Sequence, residues 1–443
     1  MGDDVSGCTG GAGRNGRKRP PVHRRPRAGK TGVLDTATGR NTGPCTHRFR
    51  LSPSRRIQGD DTMQHSTEFY INGAWTPPAT PRPFDVIDPS TEEVCAQISL
   101  GDQADTDAAV AAAKAAFEGW SQTTPAERIA YVEKLLTAYE ARAEDLARAI
   151  SMEMGAPIDL SRQQQVTSGT WHMNGFLRAA RDFQWEHPLG DWAPGEMILH
   201  EPIGVCALIT PWNWPMNQIV LKVVPALLAG CTMVLKPSEI APLSGVVFAE
   251  IIDEIGLPRG VFNMVNGDGA GVGSQLSAHP DVDMVSFTGS TRAGRLITKA
   301  GADTIKRVSL ELGGKGANII FADADEKAVK SGVIRCFRNT GQSCNAPSRM
   351  LVERSRYDQA VEQAAETAAK ITVGPASEEG RHIGPAVSEA QFDKIQGLIQ
   401  TGIDEGARLI AGGTGRPENL NRGFYIRPTV FADVTPDMTI YRE

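Results

Sequence analysis

The sequence predicts an α/β protein built on a parallel sheet that helices cover on both faces. Between residues 205 and 312, short apolar runs alternate with stretches that have helical spacing. The runs are apolar at consecutive positions, which is typical of strands buried on both faces. No repeat of short period is visible, so a layered sheet is favoured over a repeat architecture. In such a sheet a ligand is expected at the carboxyl ends of the strands.

Two helices are expected near the start of the folded region, and the second has a well-marked start. An Ala-rich helix begins near Asp105, and the next helix opens at Thr124. Thr124, Pro125 and Glu127 supply an N-cap, a proline at the first helical position and the partner of a capping box. Gly155 is expected to close this helical region.

The remaining elements follow in order along the chain. A long helix runs through Arg181, and a strand, a break at Pro202 and Gly204 and a buried strand come next. The alternation then continues with a helix over 217–228, the strand TMVLK, a helix over 243–255, the strand VFNMV, a helix after Gly273, the strand MVSFTG, a helix after Gly294 and the strand RVSLEL. A second α/β set is expected from Glu326 onward.

Residues 1–62 differ in kind from the rest of the chain. They carry 13 Lys and Arg against 5 Asp and Glu, whereas the remainder carries 33 against 47. They show neither strand alternation nor helical spacing, so they are predicted to be a disordered basic extension. A translation start at Met63 is an equally favoured alternative. A transit peptide is opposed by the many glycines and prolines, and a nucleic-acid-binding arm is the least favoured interpretation.

The overall composition excludes several classes of function. A chain of 443 residues with 40% hydrophobic composition can bury more than one core, so two or more domains are expected. The net charge of −6 favours neither nucleic acid nor an anionic membrane surface as a partner. No apolar run is long enough to span a membrane. Seven cysteines without a C-x-x-C pair argue against a disulfide framework or a metal site, and indicate a reducing, cytoplasmic compartment.

Cys344 is the candidate nucleophile. It lies in RNTGQSCNAPSR, where its neighbours Gly341, Gln342, Ser343 and Asn345 offer no apolar surroundings, so its thiol is expected to be exposed. A lone cysteine is more often a small buried hydrophobic residue, and that interpretation is kept for the four cysteines with apolar neighbours or at the ends of elements, Cys95, Cys206, Cys231 and Cys336.

Two polar residues end apolar strands. Glu311 is followed by Leu312 and two glycines, and partial burial there would raise its pKa and suit it to accept a proton near neutral pH. Asn213 lies in ITPWNWP, where its side-chain N–H could be held toward a developing oxyanion. An Asn in a loop is more often an ordinary turn residue, so this interpretation depends on the others.

A cofactor site is expected at two further strand ends. Lys236, Ser238 and Glu239 follow TMVLK, where a lysine and a carboxylate could bind ribose hydroxyls, although a solvated ion pair is the simpler alternative. Gly289 and Ser290 follow MVSFT and open a helix whose N–H groups could face a phosphate. The glycines of NGDGAGVGS lack the G-x-G-x-x-G spacing and are read as a turn.

These motifs, in this order, resemble the aldehyde dehydrogenase superfamily: PWNWP, LKPSE, FTGSTRAG, LELGGK and GQSC. The resemblance spans about residue 68 to the last residue. It implies a Rossmann-like NAD-binding domain over 63–182 and 203–312, an oligomerisation β-hairpin over 183–202 and an α/β catalytic domain over 313–443. It also implies a homodimer or a homotetramer that acts on a small-molecule aldehyde.

The resemblance implies a role for each matching residue. Cys344 looks like the nucleophile, Glu311 like the base that activates the deacylating water, Asn213 like the side-chain half of the oxyanion site and Lys222 like a proton-relay residue. NAD, with NADP as an alternative that Glu239 disfavours, would contact the remaining set: Thr210, Pro211, Trp212, Lys236, Ser238, Glu239, Gly289, Ser290 and Leu312. The implied reaction oxidises an aldehyde to an acid through a thiohemiacetal and a thioester on Cys344.

Two alternatives stay open at this point. The family pattern continues beyond the final YRE, so the catalytic domain is expected to be incomplete, and the chain could be an inactive cofactor-binding or interaction protein. Transfer of the acyl group to CoA is less favoured, because members of that branch generally lack the glutamate that Glu311 matches. Trp171, Met173 and Phe176 suggest an apolar aldehyde tunnel.

Overall fold

The structure is a computed structural model that describes residues 64–443; the predicted extension over 1–62 lies outside them. Its strands are β1 (Phe69–Ile71), β2 (Ala74–Thr76), β3 (Pro83–Asp88), β4 (Glu93–Ser99), β5 (Glu186–Pro188), β6 (Met197–Leu199), β7 (Val205–Ile209), β8 (Thr232–Lys236), β9 (Phe262–Met264), β10 (Met284–Gly289), β11 (Arg307–Leu312), β12 (Ala317–Ile320), β13 (Arg349–Val352), β14 (Arg408–Ala411) and β15 (Val430–Ala432).

The α-helices are α1 (Gln103–Ser121), α2 (Pro125–Ala141), α3 (Ala143–Met154), α4 (Ile158–Leu160), α5 (Thr167–Asp182), α6 (Pro215–Leu228), α7 (Leu243–Glu254), α8 (Ser274–Ala278), α9 (Thr291–Ala302), α10 (Ala328–Phe337), α11 (Tyr357–Ala369), α12 (Glu389–Asp404) and α13 (Thr439–Arg442). Shorter turns are π-helical at Ser161–Val166 and Gly269–Gly273, and 3₁₀-helical at Arg338–Gly341 and Arg354–Arg356. Among the described residues, no helix is both long and apolar enough to cross a membrane.

The central sheet has seven strands in the order β11-β10-β7-β8-β9-β1-β2. The five strands from β7 to β11 are mutually parallel, which confirms the predicted α/β fold with a parallel sheet. The hairpin β1–β2 extends the sheet in the antiparallel sense beside β9. Because β7 to β11 all run in the same direction, their carboxyl ends lie along a single edge of the sheet.

Successive residues of the central strands supply two different cores. Every residue of β7 is buried. Cys206 and Leu208 pack with residues of α6 and α7, whereas Val205, Ala207 and Ile209 pack with residues of α1, α8 and α9 on the other face. Full burial of a Val, Leu or Ile side chain contributes about 1.5–3 kcal/mol. This explains why the strands read as continuous apolar runs in the sequence.

Local capping sets where several helices begin. The capping box at Thr124 and Glu127 is present, so the predicted start of α2 is confirmed. A second box, between Asp102 and Asp105, starts α1 at Gln103. The start of α9 confirms the prediction that Gly289 and Ser290 open a helix, and a start after Gly294 is wrong: the Ser290 side chain accepts a hydrogen bond from the N–H of Ala293, and α9 begins at Thr291.

Residues beyond the central sheet form smaller units. The antiparallel hairpin β5–β6 lies within 183–202, with Trp192, Met197 and Leu199 exposed. The second α/β set begins with β12, earlier than predicted, and β12 pairs in parallel with β13. A third core joins β12 to α10 and α11. The pair β14–β15 is antiparallel.

The carboxylate of Glu153, which is fully buried at the end of α3, caps the start of α7. It accepts hydrogen bonds from the N–H groups of Leu243 and Ser244 and from Ser244 Oγ, the last at 2.6 Å. Burial nevertheless dominates and raises the pKa of Glu153 to about 7. A carboxyl group that is harder to ionise in the folded than in the unfolded state lowers stability as the pH rises between the two pKa values.

We therefore expect the free energy of unfolding to fall between about pH 4.5 and pH 7, by roughly 3 kcal/mol from this group alone. Glu153→Gln cannot ionise and should flatten that decline, which calorimetric melting temperatures at pH 5 and pH 8 would measure. The exposed Glu140→Gln is the matched control and should leave the decline unchanged. An equally steep decline in Glu153→Gln would contradict the assignment.

Candidate active site

The predicted cofactor residues lie along the carboxyl edge of the sheet. Ile209 at the end of β7 pairs with Lys236 at the end of β8, and it also pairs with Phe287 of β10. Gly289 at the end of β10 pairs with Leu312 at the end of β11. Thr210, Pro211 and Trp212 follow β7 directly. Segments that are far apart in the sequence therefore meet at one edge.

Lys236 is buried at this edge and paired with an acidic side chain. Its Nζ donates to the carbonyl oxygen of Gly267 at 2.5 Å and lies 3.3 Å from the carboxylate of Glu239. Burial lowers the pKa of Lys236. Glu239 remains about a quarter exposed, and Ser238 is buried. The protein thus holds Lys236 in place, whereas the carboxylate of Glu239 remains partly accessible to a ligand.

The turn from β10 to α9 is narrow and depends on glycine. A methyl group added at Gly289 would lie 2.4 Å from the ring of Phe287, and one added at Gly294 would lie 2.9 Å from Leu312. The backbone of α9 can therefore approach β11 closely. Ser290 caps the helix, so the first turn of α9 presents N–H groups at the carboxyl edge of the sheet.

The second glycine-rich motif contributes to the same edge in an unexpected form. Residues read as a turn include the π-helical segment Gly269–Gly273, and Asp268 accepts a hydrogen bond from the N–H of Gly271 at 2.5 Å. Its residue Gly267 provides the carbonyl group that binds Lys236. The carbonyl group of Gly267, just before this segment, therefore holds the side chain of Lys236 in place.

Cys344 is exposed, as predicted, and the other described cysteines are at least partly buried. Burial raises the pKa of Cys95 to about 12 and that of Cys336 above its usual value. The loop of Cys344 follows a turn in which Asn339, Thr340 and Gly341 have φ values of 52°, 58° and 74°. Consecutive left-handed residues without a glycine at the first two positions are strained, a feature that clusters at functional sites.

The loop of Asn213 contacts the loop of Cys344. Trp214 Nε1 donates to Ser343 Oγ at 2.7 Å, and Asn339 Nδ2 donates to the backbone carbonyl of Asn213 at 2.9 Å. The side-chain oxygen of Asn213 is buried, with no hydrogen-bond partner among the described residues. The structure thus joins the strand end at β7 to the candidate nucleophile loop.

Glu311 reaches the same region from β11, but it is exposed, so the predicted partial burial is wrong. Alternate residues of β11 are exposed because only one face of this strand packs against a core, through Val308, Leu310 and Leu312. The chain then turns toward Cys344, and a methyl group added at Gly314 would lie 3.9 Å from the carbonyl oxygen of Cys344. Glu311 is therefore three residues from a contact with the nucleophile loop.

Lys222 lies on α6, the helix that follows the Asn213 loop. Its Nζ donates to Ser286 Oγ at 3.0 Å. Burial lowers the pKa of Lys222 to about 8, with the negative charge of Glu311 acting in the opposite direction. A lysine with such a pKa exchanges protons readily near neutral pH.

The aldehyde-tunnel prediction is only partly consistent with the structure. Met173 is fully buried and packs in the main core, so it cannot line an open tunnel. Trp171 is 69% exposed and its ring packs edge-on against His172. Phe176 is partly buried against the core. Because Trp171, Met173 and Phe176 occupy different positions around the helix α5, their side chains point in different directions.

Sequence reasoning did not identify three side chains that connect the loops: Gln165, Trp214 and Asn339. Gln165 lies in a run of three glutamines and gives no signal in the sequence. Trp214 and Asn339 do lie inside the motifs that contain Asn213 and Cys344. A search of those motifs for buried hydrogen-bond donors could have suggested them.

Comparisons with known proteins agree on one family. The sequence profile of the aldehyde dehydrogenase family matches residues 75–443. A 3-succinoylsemialdehyde-pyridine dehydrogenase of a Pseudomonas species is 52% identical over 386 residues, which cover 86% of this chain and 80% of that protein. A putative aldehyde dehydrogenase of Staphylococcus aureus is 43% identical over 382 residues, covering 86% of this chain and 80% of its own length.

Solved structures are similarly close. The crystal structure of an aldehyde dehydrogenase from Bartonella henselae is 60% identical, with a TM-score of 0.85 over 85% of this chain and 79% of that one. A cysteine-to-alanine mutant of aldehyde dehydrogenase C from Pseudomonas syringae, in complex with NAD+ and octanal, is 48% identical, with a TM-score of 0.84 over 88% of this chain and 79% of that one.

Proposed function

Because the chain belongs to the aldehyde dehydrogenase family, we propose that it uses NAD to oxidise an aldehyde to a carboxylic acid, with Cys344 as the nucleophile. The observation that carries this proposal is the meeting of three segments around one exposed thiol. The Asn213 loop forms hydrogen bonds with the Cys344 loop, and the turn after Glu311 approaches the backbone of Cys344. A nucleophile, an amide donor and a carboxylate are the groups that this oxidation needs.

The residues at the carboxyl edge fit NAD. Glu239, anchored beside Lys236, can accept hydrogen bonds from ribose hydroxyls, and the start of α9 after Gly289 and Ser290 suits a pyrophosphate. The other proposed contacts lie along the same edge: Thr210, Pro211, Trp212, Ser238 and Leu312. When bound, NAD supplies the acceptor for the hydride that leaves the substrate carbon.

The protein residues perform the remaining steps. The thiolate of Cys344 attacks the aldehyde carbon, and the side-chain N–H of Asn213 with the backbone N–H of Cys344 stabilises the resulting oxyanion. Collapse of this thiohemiacetal, with loss of hydride, leaves a thioester on Cys344. Glu311 then removes a proton from the attacking water, and the acid leaves as the thiol is restored. Lys222, with its pKa near 8, is assigned to proton relay.

We assign residues 63–182 and 203–312 to NAD binding and 313–443 to catalysis.

The hairpin within 183–202 is proposed to join subunits into a homodimer or homotetramer, because Trp192, Met197 and Leu199 are exposed on it. Light scattering of Trp192→Ser and of the unaltered chain would test this. Identical masses for both, with the unaltered chain monomeric, would contradict it.

The activity is tested by incubating the full chain with NAD and a panel of aldehydes that includes octanal and a semialdehyde, and by following NADH. NADH and a carboxylic acid are expected in equal amounts, with a rate and a product that do not depend on CoA. A folded protein that binds NAD but gives no NADH with any aldehyde would contradict the proposal. An acyl-CoA product would replace it with acyl transfer to CoA.

Cofactor preference provides a separate prediction. Glu239→Gln should raise kcat/KM with NADP relative to NAD by about tenfold, because the carboxylate no longer repels a 2′-phosphate. Parallel assays of NADH and NADPH formation measure the ratio. Glu118→Gln, an exposed substitution on α1, is the control and should leave the ratio unchanged. An unaltered ratio in Glu239→Gln would remove the assigned role.

A further inference from the structure

The backbone carbonyl of Asn213 accepts hydrogen bonds from two buried side-chain amides. Gln165 Nε2 lies 3.1 Å from this oxygen and Asn339 Nδ2 lies 2.9 Å from it. Gln165 is 0% exposed and Asn339 is 2% exposed. Two buried donors on one oxygen fix the peptide plane that follows Asn213, and with it the direction in which the Asn213 side chain leaves the backbone.

Gln165 reaches this carbonyl because of an irregular helical segment. It lies in the π-helical turn Ser161–Val166, which separates α4 from α5. A π-helical turn widens the helix and changes which residues face inward, and such turns occur frequently at functional sites. Of the three consecutive glutamines, Gln163 is exposed, Gln164 is half-buried and Gln165 is fully buried. The chain therefore supplies its own matched control.

Asn339 connects the same carbonyl to the nucleophile loop. Its Nδ2 also lies 3.3 Å from the carbonyl oxygen of Gln342, and its Oδ1 lies 3.5 Å from Gln165 Nε2. Gln342 Nε2 in turn donates to the carbonyl oxygen of Asn339 at 3.2 Å. These bonds hold a residue with a left-handed backbone five positions before Cys344. Such strain persists only where the surroundings fix the conformation.

We propose that Gln165 is a positioning residue for the oxidation: by holding the carbonyl of Asn213, and with it Asn339, it fixes the oxyanion-binding amide relative to the thiol of Cys344. This inference rests on the proposed function. Gln165 itself acts only through these two residues. Because misplacement of a catalytic group by about 1 Å can cost about 100-fold in rate, a clamp of this kind has a measurable effect.

The test compares Gln165→Met, which keeps the side-chain length and removes the donor, with Gln163→Met. We expect Gln165→Met to lower kcat by about 10- to 100-fold, with KM for NAD changed less than about threefold. Alkylation of Cys344 by iodoacetamide should keep its rate, because that reaction develops no oxyanion. Gln163→Met should match the unaltered chain in all three measurements.

A double-mutant cycle separates positioning from a merely structural role. In the Asn213→Ala background, Gln165→Met should cause no further loss of kcat, since the group that it positions is gone. Independent, multiplicative losses would overturn the proposal, as would slower alkylation or an unaltered kcat in Gln165→Met. If Gln165→Met does not fold, Gln165→Asn, which keeps an amide but is shorter by one methylene, takes its place. An unaltered chain without NADH formation would instead refute the proposed function itself.

Discussion

Cys344→Ser should lower the rate of NADH formation by about 10³-fold or more, while NAD binding and the melting temperature stay close to those of the unaltered chain. A serine hydroxyl is a far weaker nucleophile than a thiolate when no base activates it. The side chain is exposed, so the exchange of sulfur for oxygen removes little packing. Steady-state assays with an aldehyde that the unaltered chain oxidises, together with NAD titration, measure both properties.

Cys95→Ser is the matched control for this experiment. The thiol of Cys95 is half-buried and donates to the carbonyl oxygen of Val86 at 3.3 Å, a bond that a hydroxyl can also make. Activity is expected to remain in this variant. Substantial activity in Cys344→Ser, or loss of activity in Cys95→Ser, would mean that the nucleophile lies elsewhere.

Glu311→Gln should separate the two halves of the reaction. Acylation needs Cys344 and the oxyanion donors, so a burst of NADH of about one equivalent per active site should remain. Hydrolysis of the thioester loses its base, so steady-state turnover should fall by about 10²- to 10⁴-fold. Rapid mixing with NAD and aldehyde would record the burst and the slow phase in one experiment.

Hydroxylamine provides the decisive comparison for Glu311. It attacks a thioester without a protein base, so it should restore turnover in Glu311→Gln with formation of a hydroxamate. It should have no such effect in Cys344→Ser, which forms no thioester. The exposed Glu362→Gln on α11 is the control for charge removal and should behave like the unaltered chain. A normal steady-state rate in Glu311→Gln would exclude the assigned role.

Much of the fold could be predicted because its signals are local. The capping box at Thr124 involves residues three positions apart, and the buried strands β7 and β8 read as apolar runs. The order of five motifs then carried the resemblance to the aldehyde dehydrogenase superfamily, and the parallel sheet indicated a ligand site at the strand ends. The exposed thiol of Cys344 also followed from its immediate neighbours, which are small and polar.

The errors concern properties that depend on distant parts of the chain. Glu311 was expected to be partly buried, but the exposure of alternate residues on β11 depends on which face of the strand packs against a core, and the strand's own sequence does not reveal this. Met173 was expected to face a tunnel, but the packing of α5 places it in the core. Gln165 acquires a partner 48 positions away, and nothing in a glutamine run indicates which of them turns inward.

The division of β7 between two cores limits how this protein can vary. Adding or removing one residue within the strand would move the following side chains to the opposite face of the sheet. Both hydrophobic cores would then be mispacked at once. Changes in length are tolerated only beyond the strand ends, where the chain leaves the sheet. Those same segments carry Asn213, Glu239 and Ser290. Changes that alter cofactor or substrate preference without disturbing the cores are therefore expected in these loops, while the strand ends from which the loops start keep their positions.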